Sequence, residues 1–570
     1  MKRCYLFCFI CLPLLFSGGV HASPLTSPAD CEAMSPGLFL DPSVDTSAVK
    51  NSYLAMTYHR GKNDGNGRTN GCFVYQLSKN EQNVAELNLH ACVMASDLEA
   101  PLGIPENSSG RWVQDCNFAD DNRSDHQRAS LGEADHGDLR LFLKFRTSPG
   151  SNLTRQNSIV EVDLGMTQVL RHTPFAADST FASGTVMGQH DMGLIPGEKD
   201  QVFGNPWEPR FGLDGRGKFA VTSLSGGIQV FDHSANSVAW SISGWGSGDC
   251  DIAGTCRHSV DRPFAYMFDR HADSITDGGL STGEHNNAAV VIHPAGHFSH
   301  KMPQCRVIDS ERWYGIVRCQ VVDETTNTFN TGWVLHGKHV TQAVKDEWPV
   351  VIEDDPLGGP ADHHNPNIEY LAKNRVMIFD NGNFHHADPC AAPVTAADIA
   401  ADPELSAECA KPVETRAGCP FSRAVEYKYK GKVNGADRFA MKFSWPAVED
   451  YPVMLPDDNQ AANDLLSDGD KAAFCQPFWQ RNYEAKGIVY SSFISGAKRL
   501  WNGQTLVTAH DIRARNFTSA TEPTQSAVIV DSDAQPVARL LINSDGENSF
   551  AHYRVDAVSG DDFEEQLTAQ

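Results

Sequence analysis

Residues 214–232 read Asp214-Gly215-Arg216-Gly217-Lys218-Phe219-Ala220-Val221-Thr222-Ser223-Leu224-Ser225-Gly226-Gly227-Ile228-Gln229-Val230-Phe231-Asp232. An Asp-Gly turn leads into a short run of β-branched and aromatic residues. A Gly-Gly loop follows, then a second such run ending on Asp. Short apolar runs bounded by Gly, Asn and Asp read as strands, because those residues adopt the backbone angles that tight turns need. The unit returns at Asn502-Gly503, Thr505-Leu506-Val507 and Ala527-Val528-Ile529-Val530-Asp531. Further strands are expected at 158–163, 375–380 and 424–428. A recurring turn, strand, loop, strand, turn unit predicts an all-β chain built as a β-propeller. The irregular spacing calls for long loops between blades. A multi-sheet β-sandwich gives similar strand signals, and pattern alone leaves it open.

The chain has 570 residues, of which 41% are hydrophobic and 21% charged, a balance typical of a globular protein. The net charge of -25 argues against a nucleic-acid partner, since a polyanion repels a phosphate backbone. Residues 1–22 read as a cleavable export signal. Lys2 and Arg3 precede the apolar run Cys4 to Phe16, and Val20-His21-Ala22 supplies small residues before Ser23. That run is too short to span a bilayer, and no lipid-anchor cysteine is apparent. The expected location is periplasmic or secreted, with no stable membrane anchor. Three of the 15 cysteines lie in the leader; the remaining 12, an even number, suit disulfides in an oxidising compartment. Cys250/Cys256 and Cys305/Cys319 are close enough in sequence to staple local loops.

Residues 23–150 read as an N-terminal cysteine-rich β extension or the first blades, and 151–560 as the main propeller. Residues 384–421, rich in Ala, Pro and Cys, read as a disulfide-stapled inserted loop. The last ten residues, with Asp561, Asp562, Glu564 and Glu565, read as a frayed acidic tail.

Familiar catalytic signatures are missing. The chain has no GxxxxGK[ST] phosphate loop, no HExxH and no GxSxG. Histidine is the abundant chemical residue, at 22 copies. One cluster is His190-Asp191-Met192. A second is His285-Asn286-Asn287 followed by His293, His297 and His300. Pro294 and Gly296 break any helix that would gather the last three onto one face for a metal. The third is His363-His364-Asn365-Pro366-Asn367, then Phe379-Asp380-Asn381-Gly382-Asn383 and His385-His386.

The third cluster resembles a segment of the bacterial arylsulfate sulfotransferases and their wider arylsulfotransferase relatives. There a histidine precedes a strand that ends in a Phe-Asp-Asn-Gly turn. Ser422-Arg423-Ala424-Val425-Glu426-Tyr427, the run from Ser495 to Val507, and Ala551-His552-Tyr553-Arg554-Val555 match the family's later elements in order. The resemblance is good over 360–555, partial over 155–340 and not visible over 23–150. It implies a six-bladed β-propeller with long disulfide-stapled loops. The implied reaction moves a sulfuryl group from a phenolic sulfate donor to a phenolic acceptor through a sulfohistidine, with no cofactor and no nucleotide donor. It makes His364 the nucleophile and places His285 and Asn287 on the sulfuryl oxygens. His190 matches another family histidine, and either Arg306 or Arg318 matches the family's arginine. Related enzymes can be homodimers. Two other readings are weighed: a non-catalytic propeller that binds a ligand or partner, and a quinone-dependent dehydrogenase. The ten tryptophans are not periodic, as the dehydrogenase would require.

Overall fold

The computed structural model describes residues 25–35, 37–60, 70–103, 109–119, 139–148, 156–174, 192–194, 218–222, 228–232, 237–242, 249–250, 256–257, 286–291, 305–311, 315–323, 328–340, 342–360, 363–368, 371–372, 374–456, 468–491, 495–509, 524–542, 550–551 and 555–569. The export signal lies outside the described residues. Among them no helix is long and apolar enough to cross a membrane.

The chain is mostly β, in antiparallel meanders. Sheet 2 orders Ser109–Ala119, Arg140–Ser148, Gln156–Val162 and Val169–Pro174. Sheet 3 orders Met192–Leu194, Lys218–Thr222, Ile228–Asp232 and Ser237–Ile242. Sheet 4 orders Asn286–Val291, Cys305–Glu311, Ile316–Asp323 and Thr328–His336. Sheet 5 orders His363–Asn367, Arg375–Asp380, Arg423–Val433, Ala436–Trp445 and, parallel to the last of these, Val350–Glu353. Sheet 6 orders Ser495–Arg499, Thr505–Ala509, Thr524–Val530, Pro536–Ile542 and Leu38–Leu40. The runs at 218–222, 228–232 and 375–380 fold as strands over the expected residues.

Sheet 1 closes differently. Its strands Ser52–Arg60, Asn70–Lys79 and Ala85–Met94 are joined by a strand from the far end of the chain. Val555–Ser559 pairs with Ser52 to Met56, and Phe550–Ala551 pairs with Arg60 and His59. Sheet 2 draws strands from both sides of residue 150, the position expected to separate the N-terminal region from the rest.

Neighbouring sheets pack face to face, and the period-2 alternation of a strand decides which side chain meets which neighbour. In Arg375–Asp380, Val376 and Ile378 join Val317 and Trp333 of sheet 4. The alternate residues Met377 and Phe379 join Val507 and Val528 of sheet 6. In Ser52–Arg60, Leu54 and Met56 meet Leu506 and Leu540 of sheet 6, while Tyr53 and Ala55 meet Leu141 and Val160 of sheet 2. Both faces are therefore dry, which is why these strands read as continuous apolar runs. Polar ties reinforce the seams. Glu426 of sheet 5 is buried between Arg375 at 2.5 Å and Arg499 of sheet 6 at 2.6 Å. Asp556 joins three sheets, accepting from Lys498 Nζ at 2.5 Å and from the Phe118 backbone N–H at 2.8 Å.

The tail is not frayed. Gly560–Ala569 is a helix whose Phe563 is fully buried and stacks on Tyr53 at 3.7 Å. One apolar anchor inserted between sheets outweighs the acidic character of its neighbours. Residues 384–421 form the stapled insertion that composition indicates. They carry helices Ala396–Ala401 and Pro403–Cys409, which pack with the helix Asp468–Lys486 around Phe421, Phe478 and Trp479.

Among the described residues, five disulfides join Cys31–Cys92, Cys72–Cys116, Cys305–Cys319, Cys390–Cys409 and Cys419–Cys475. Cys250 and Cys256 stand directly opposite each other in a two-stranded hairpin. The denatured, unreduced mature protein is expected to show no reactive thiol. Labelling of Cys250 and Cys256 by a thiol reagent would contradict that expectation.

Candidate functional site

The strand that opens sheet 5, His363–Asn367, is an edge strand, as is Asn286–Val291 in sheet 4 and Met192–Leu194 in sheet 3. The three edges are neighbours: Asn286–Val291 lies against both of the others. Pro366 is tolerated in such a strand because an edge leaves one row of N–H groups without a ladder partner.

His363 pairs with Asp380 and His364 with Phe379; the register then shifts before Asn367 meets Met377. In sheet 4, Asn286 pairs with Glu311 and Ala288 with Ser310, so Asn287 is the extra residue of a bulge. Bulges re-aim side chains and recur beside functional sites. Both sequence-selected positions thus fall at irregularities of adjacent edge strands. His190 and His285 lie outside the described residues, as do His293, His297 and His300. In sequence, His190 stands two residues before Met192 and His285 immediately before Asn286. Arg318 is on the third strand of sheet 4, two strands from the edge, and is buried. Arg306 is on the second strand, beyond the last pair of its ladder with the edge, Val291 with Val307, and so at the opposite end from Asn287.

Immediately behind His363 sits a buried ionic cluster. Arg423 opens the third strand of sheet 5 and pairs with Asp380 on the second. Its Nε donates to Asp380 Oδ2 at 3.0 Å. Its Nη1 and Nη2 donate to the two oxygens of Asp355 at 2.8 and 3.1 Å, and Nη2 also donates to the Gly359 carbonyl at 2.9 Å. Tyr427 donates to Asp355 Oδ2 at 2.5 Å. His385 Nε2 meets Asp380 Oδ2 at 2.8 Å. Asp355, Asp380 and Arg423 are fully enclosed.

Charges in such a place persist only when paired and hydrogen-bonded. Burial works to raise the Asp355 carboxyl, yet the Arg423 guanidinium and the Tyr427 hydroxyl bring it down to about 2. Burial works likewise on Asp380, and His385 and Arg423 together hold it well below the usual carboxylate range. Burial opposes the charge on Arg423, but its acidic and phenolic neighbours lift it well above its ordinary value. Asp380 Oδ1 also accepts from the Gly382 N–H, closing the Asp-Asn-Gly turn. A Cβ at Gly382 would meet the Phe421 carbonyl oxygen at 1.7 Å, and φ is +74° there, so only glycine fits. Asn381 carries the connection onward, donating to the Ser491 carbonyl at 2.6 Å and to Ser495 Oγ at 3.1 Å, where the edge strand of sheet 6 begins.

Asp380 reads from sequence as a turn residue and Arg423 as blade support; in the structure Asp380 closes the turn through the Gly382 N–H, and the two residues share one cluster. Asp355 is not singled out by the sequence, and His385 stands there only as a member of the third histidine cluster, with no role assigned. Asp355 is the last of the acidic run Glu353-Asp354-Asp355 before Pro356, which names no partner, and the pairing of His385 depends on a turn that closes only in three dimensions.

No protein-family model matches the chain, and no curated protein matches it. Among solved structures, the crystal structure of a protein from Lactobacillus plantarum, a Northeast Structural Genomics Consortium target, is similar over 89% of this chain and 99% of that one. Identity is 8% and the TM-score 0.32, a likeness that carries no argument.

Proposed function

We propose that the six sheets are the blades of a six-bladed β-propeller, and that the chain is an exported arylsulfotransferase acting at one mouth of its central channel. One observation carries the reading. The histidines selected from sequence fall where the edge strands of three successive sheets begin: His190 before Met192, His285 before Asn286, and His364 as the second residue of His363–Asn367. In a propeller the first strands of all blades run alike along the axis, so their first residues gather at one mouth. The C-terminal strand that completes sheet 1 supplies the ring closure such a fold needs.

The chemistry follows the residue types. A neutral His364 nitrogen attacks the sulfur of an aryl sulfate. The bond from sulfur to the phenolic oxygen breaks, its electron pair leaves with the phenolate, and the phenolate takes up a proton. A phenolic acceptor then attacks the sulfohistidine sulfur, the nitrogen–sulfur bond breaks, and the acceptor releases its proton as the imidazole is restored. His285, His190 and Asn287 supply hydrogen bonds to the sulfuryl oxygens, whose charge is what the site must stabilise. Asp380, locked by Arg423 and His385, fixes the strand against which His363 and His364 are laid. With Arg318 two strands from the edge and Arg306 at the far end of its ladder, the proposal gives the sulfuryl group to the histidines and Asn287.

The test is sulfuryl transfer by the mature protein from a chromogenic aryl sulfate to phenol. Acceptor-dependent release is expected in the wild type, with a loss of at least about a thousandfold in His364→Ala, as for removal of a covalent nucleophile. Equal activity in His364→Ala, with loss in His363→Ala instead, would move the nucleophile by one residue. No release from any donor would replace the enzyme with a ligand-binding propeller.

A further inference from the structure

We propose that the inner face of sheet 6, where it meets sheet 5 and the helix Asp468–Lys486, holds a site for ordered water built around the amide of Gln525. The proposal is independent of the reaction the chain performs. Gln525 is the second residue of the strand Thr524–Val530 and is fully buried. Neither its Nε2 nor its Oε1 reaches a hydrogen-bonding partner in the protein. Burying an amide without such partners is costly, and native structures meet these groups with protein atoms or with ordered water.

A bulge decides where the amide is placed. In the ladder with Pro536–Ile542, Gln525 pairs with Leu541 and Ala527 with Leu540, so Ser526 is the extra residue. Leu540 and Ile542 pack against sheet 1. Leu541, between them, faces the other way, and Gln525 opposite it shares that face. In a regular strand Gln525 would instead share the face of Ala527 and Ile529, in the dry seam with sheet 1. On the face that it does take, Ala509 and Val528 pack with Phe379 of sheet 5, with Val489 and with Tyr483 of the helix.

Other unmet polar groups collect there. Arg539 is the ladder partner of Val528. Its Nη1 donates to Asp41 at 3.1 Å and its guanidinium lies over the Tyr483 ring at 5.6 Å, while its Nε is buried without an acceptor. Asn482, beside Tyr483, donates from Nδ2 to the Phe478 carbonyl at 2.9 Å and keeps its Oδ1 buried without a donor. On the other side, Ser495 is the ladder partner of Ala509 and accepts from Asn381 at 3.1 Å. Thr508 pairs with Ala527, which puts Ala509 level with the bulge. Ser495 and Gln525 are thus two strands, or about 10 Å, apart, and the residue between them in that row contributes only a methyl group.

The groups select the occupant. Gln525 Nε2 and Arg539 Nε need acceptors; Gln525 Oε1 and Asn482 Oδ1 need donors. A cation would leave the donors unmet and be repelled by Arg539, and an anion would leave the acceptors unmet. Water meets both kinds.

A crystal structure of the full mature chain that shows ordered water is the direct probe. The expected result is a water about 2.7–3.2 Å from Gln525 Nε2 or Oε1. An amide bonded directly to a protein group, or with no water at either atom, overturns the site. Gln525→Met nearly conserves the volume and removes both amide atoms, so its structure is expected to lack that water. A water that keeps its place in Gln525→Met would show that Gln525 does not hold it, and would overturn the site as well. In solution, oxygen-17 relaxation dispersion counts long-lived internal waters. The wild type is expected to hold at least one more than Gln525→Met, or than Gln525→Leu if the methionine variant fails to melt cooperatively. Equal counts overturn the proposal.

Discussion

Arg423→Met is expected to lower the unfolding free energy by about 3–5 kcal/mol, the cost of removing one partner from a buried ion cluster. The methionine fills similar space but leaves Asp355 and Asp380 enclosed without a cation, and it also removes the donor to the Gly359 carbonyl. Two segments then lose their anchor: the connection at 355–360 and the turn at 380–385. Denaturant unfolding of the two proteins reads the difference as a lower midpoint. A midpoint within experimental error of wild type would show that the cluster contributes nothing net.

The cluster also sets the acid limit. Both carboxylates titrate lower in the folded chain than their ordinary value near 4. A group depressed by folding gives its full stabilisation above the unfolded pKa and loses it as pH falls toward the folded one. Wild-type stability should therefore fall between about pH 4 and pH 2, and Arg423→Met should unfold at higher pH.

A chain ending at residue 549 is expected to lose its cooperative fold. It lacks the strand that pairs with Ser52–Arg60 and the helix that brings Phe563 between sheets 1 and 2. The backbone of Ser52–Arg60 would become an open edge beside exposed Tyr53 and Phe118, a combination that favours aggregation. Phe563→Ala isolates the second part: a fully buried phenylalanine truncated to alanine costs about 3–5 kcal/mol. Circular dichroism and size-exclusion chromatography check both. A monomeric truncated protein that melts like wild type would mean that closure by the C-terminal strand is dispensable.

The strands were legible because their residues are β-branched or aromatic and their ends carry turn residues. Arg375-Val376-Met377-Ile378-Phe379-Asp380 needs little else, and both its faces are indeed buried. The C-terminal helix was not legible, since Phe563 sits among Asp561, Asp562, Glu564 and Glu565 and its burial depends on Tyr53, more than five hundred residues earlier. The helix Asp468–Lys486 was hidden for another reason: Pro477 lies inside it, and a proline normally ends a helical pattern. Its packing on Phe421, and the Cys419–Cys475 disulfide, hold it nonetheless. Of the site, the histidine positions were readable as motifs before strands. The cluster behind them was not, because the ion pair of Arg423 with Asp355 joins residues that no local pattern links.

The central claim is that a histidine at the start of sheet 5 accepts a sulfuryl group. Its most direct measurement is the intact mass of the mature protein mixed with an aryl sulfate donor at neutral pH without acceptor, followed by peptide mapping under conditions that preserve the nitrogen–sulfur bond. The account predicts one added SO3 on the peptide containing His364, lost on adding phenol and absent from His364→Ala. A protein that releases phenol but never carries the group, or carries it on a residue outside His363–His364, would contradict it.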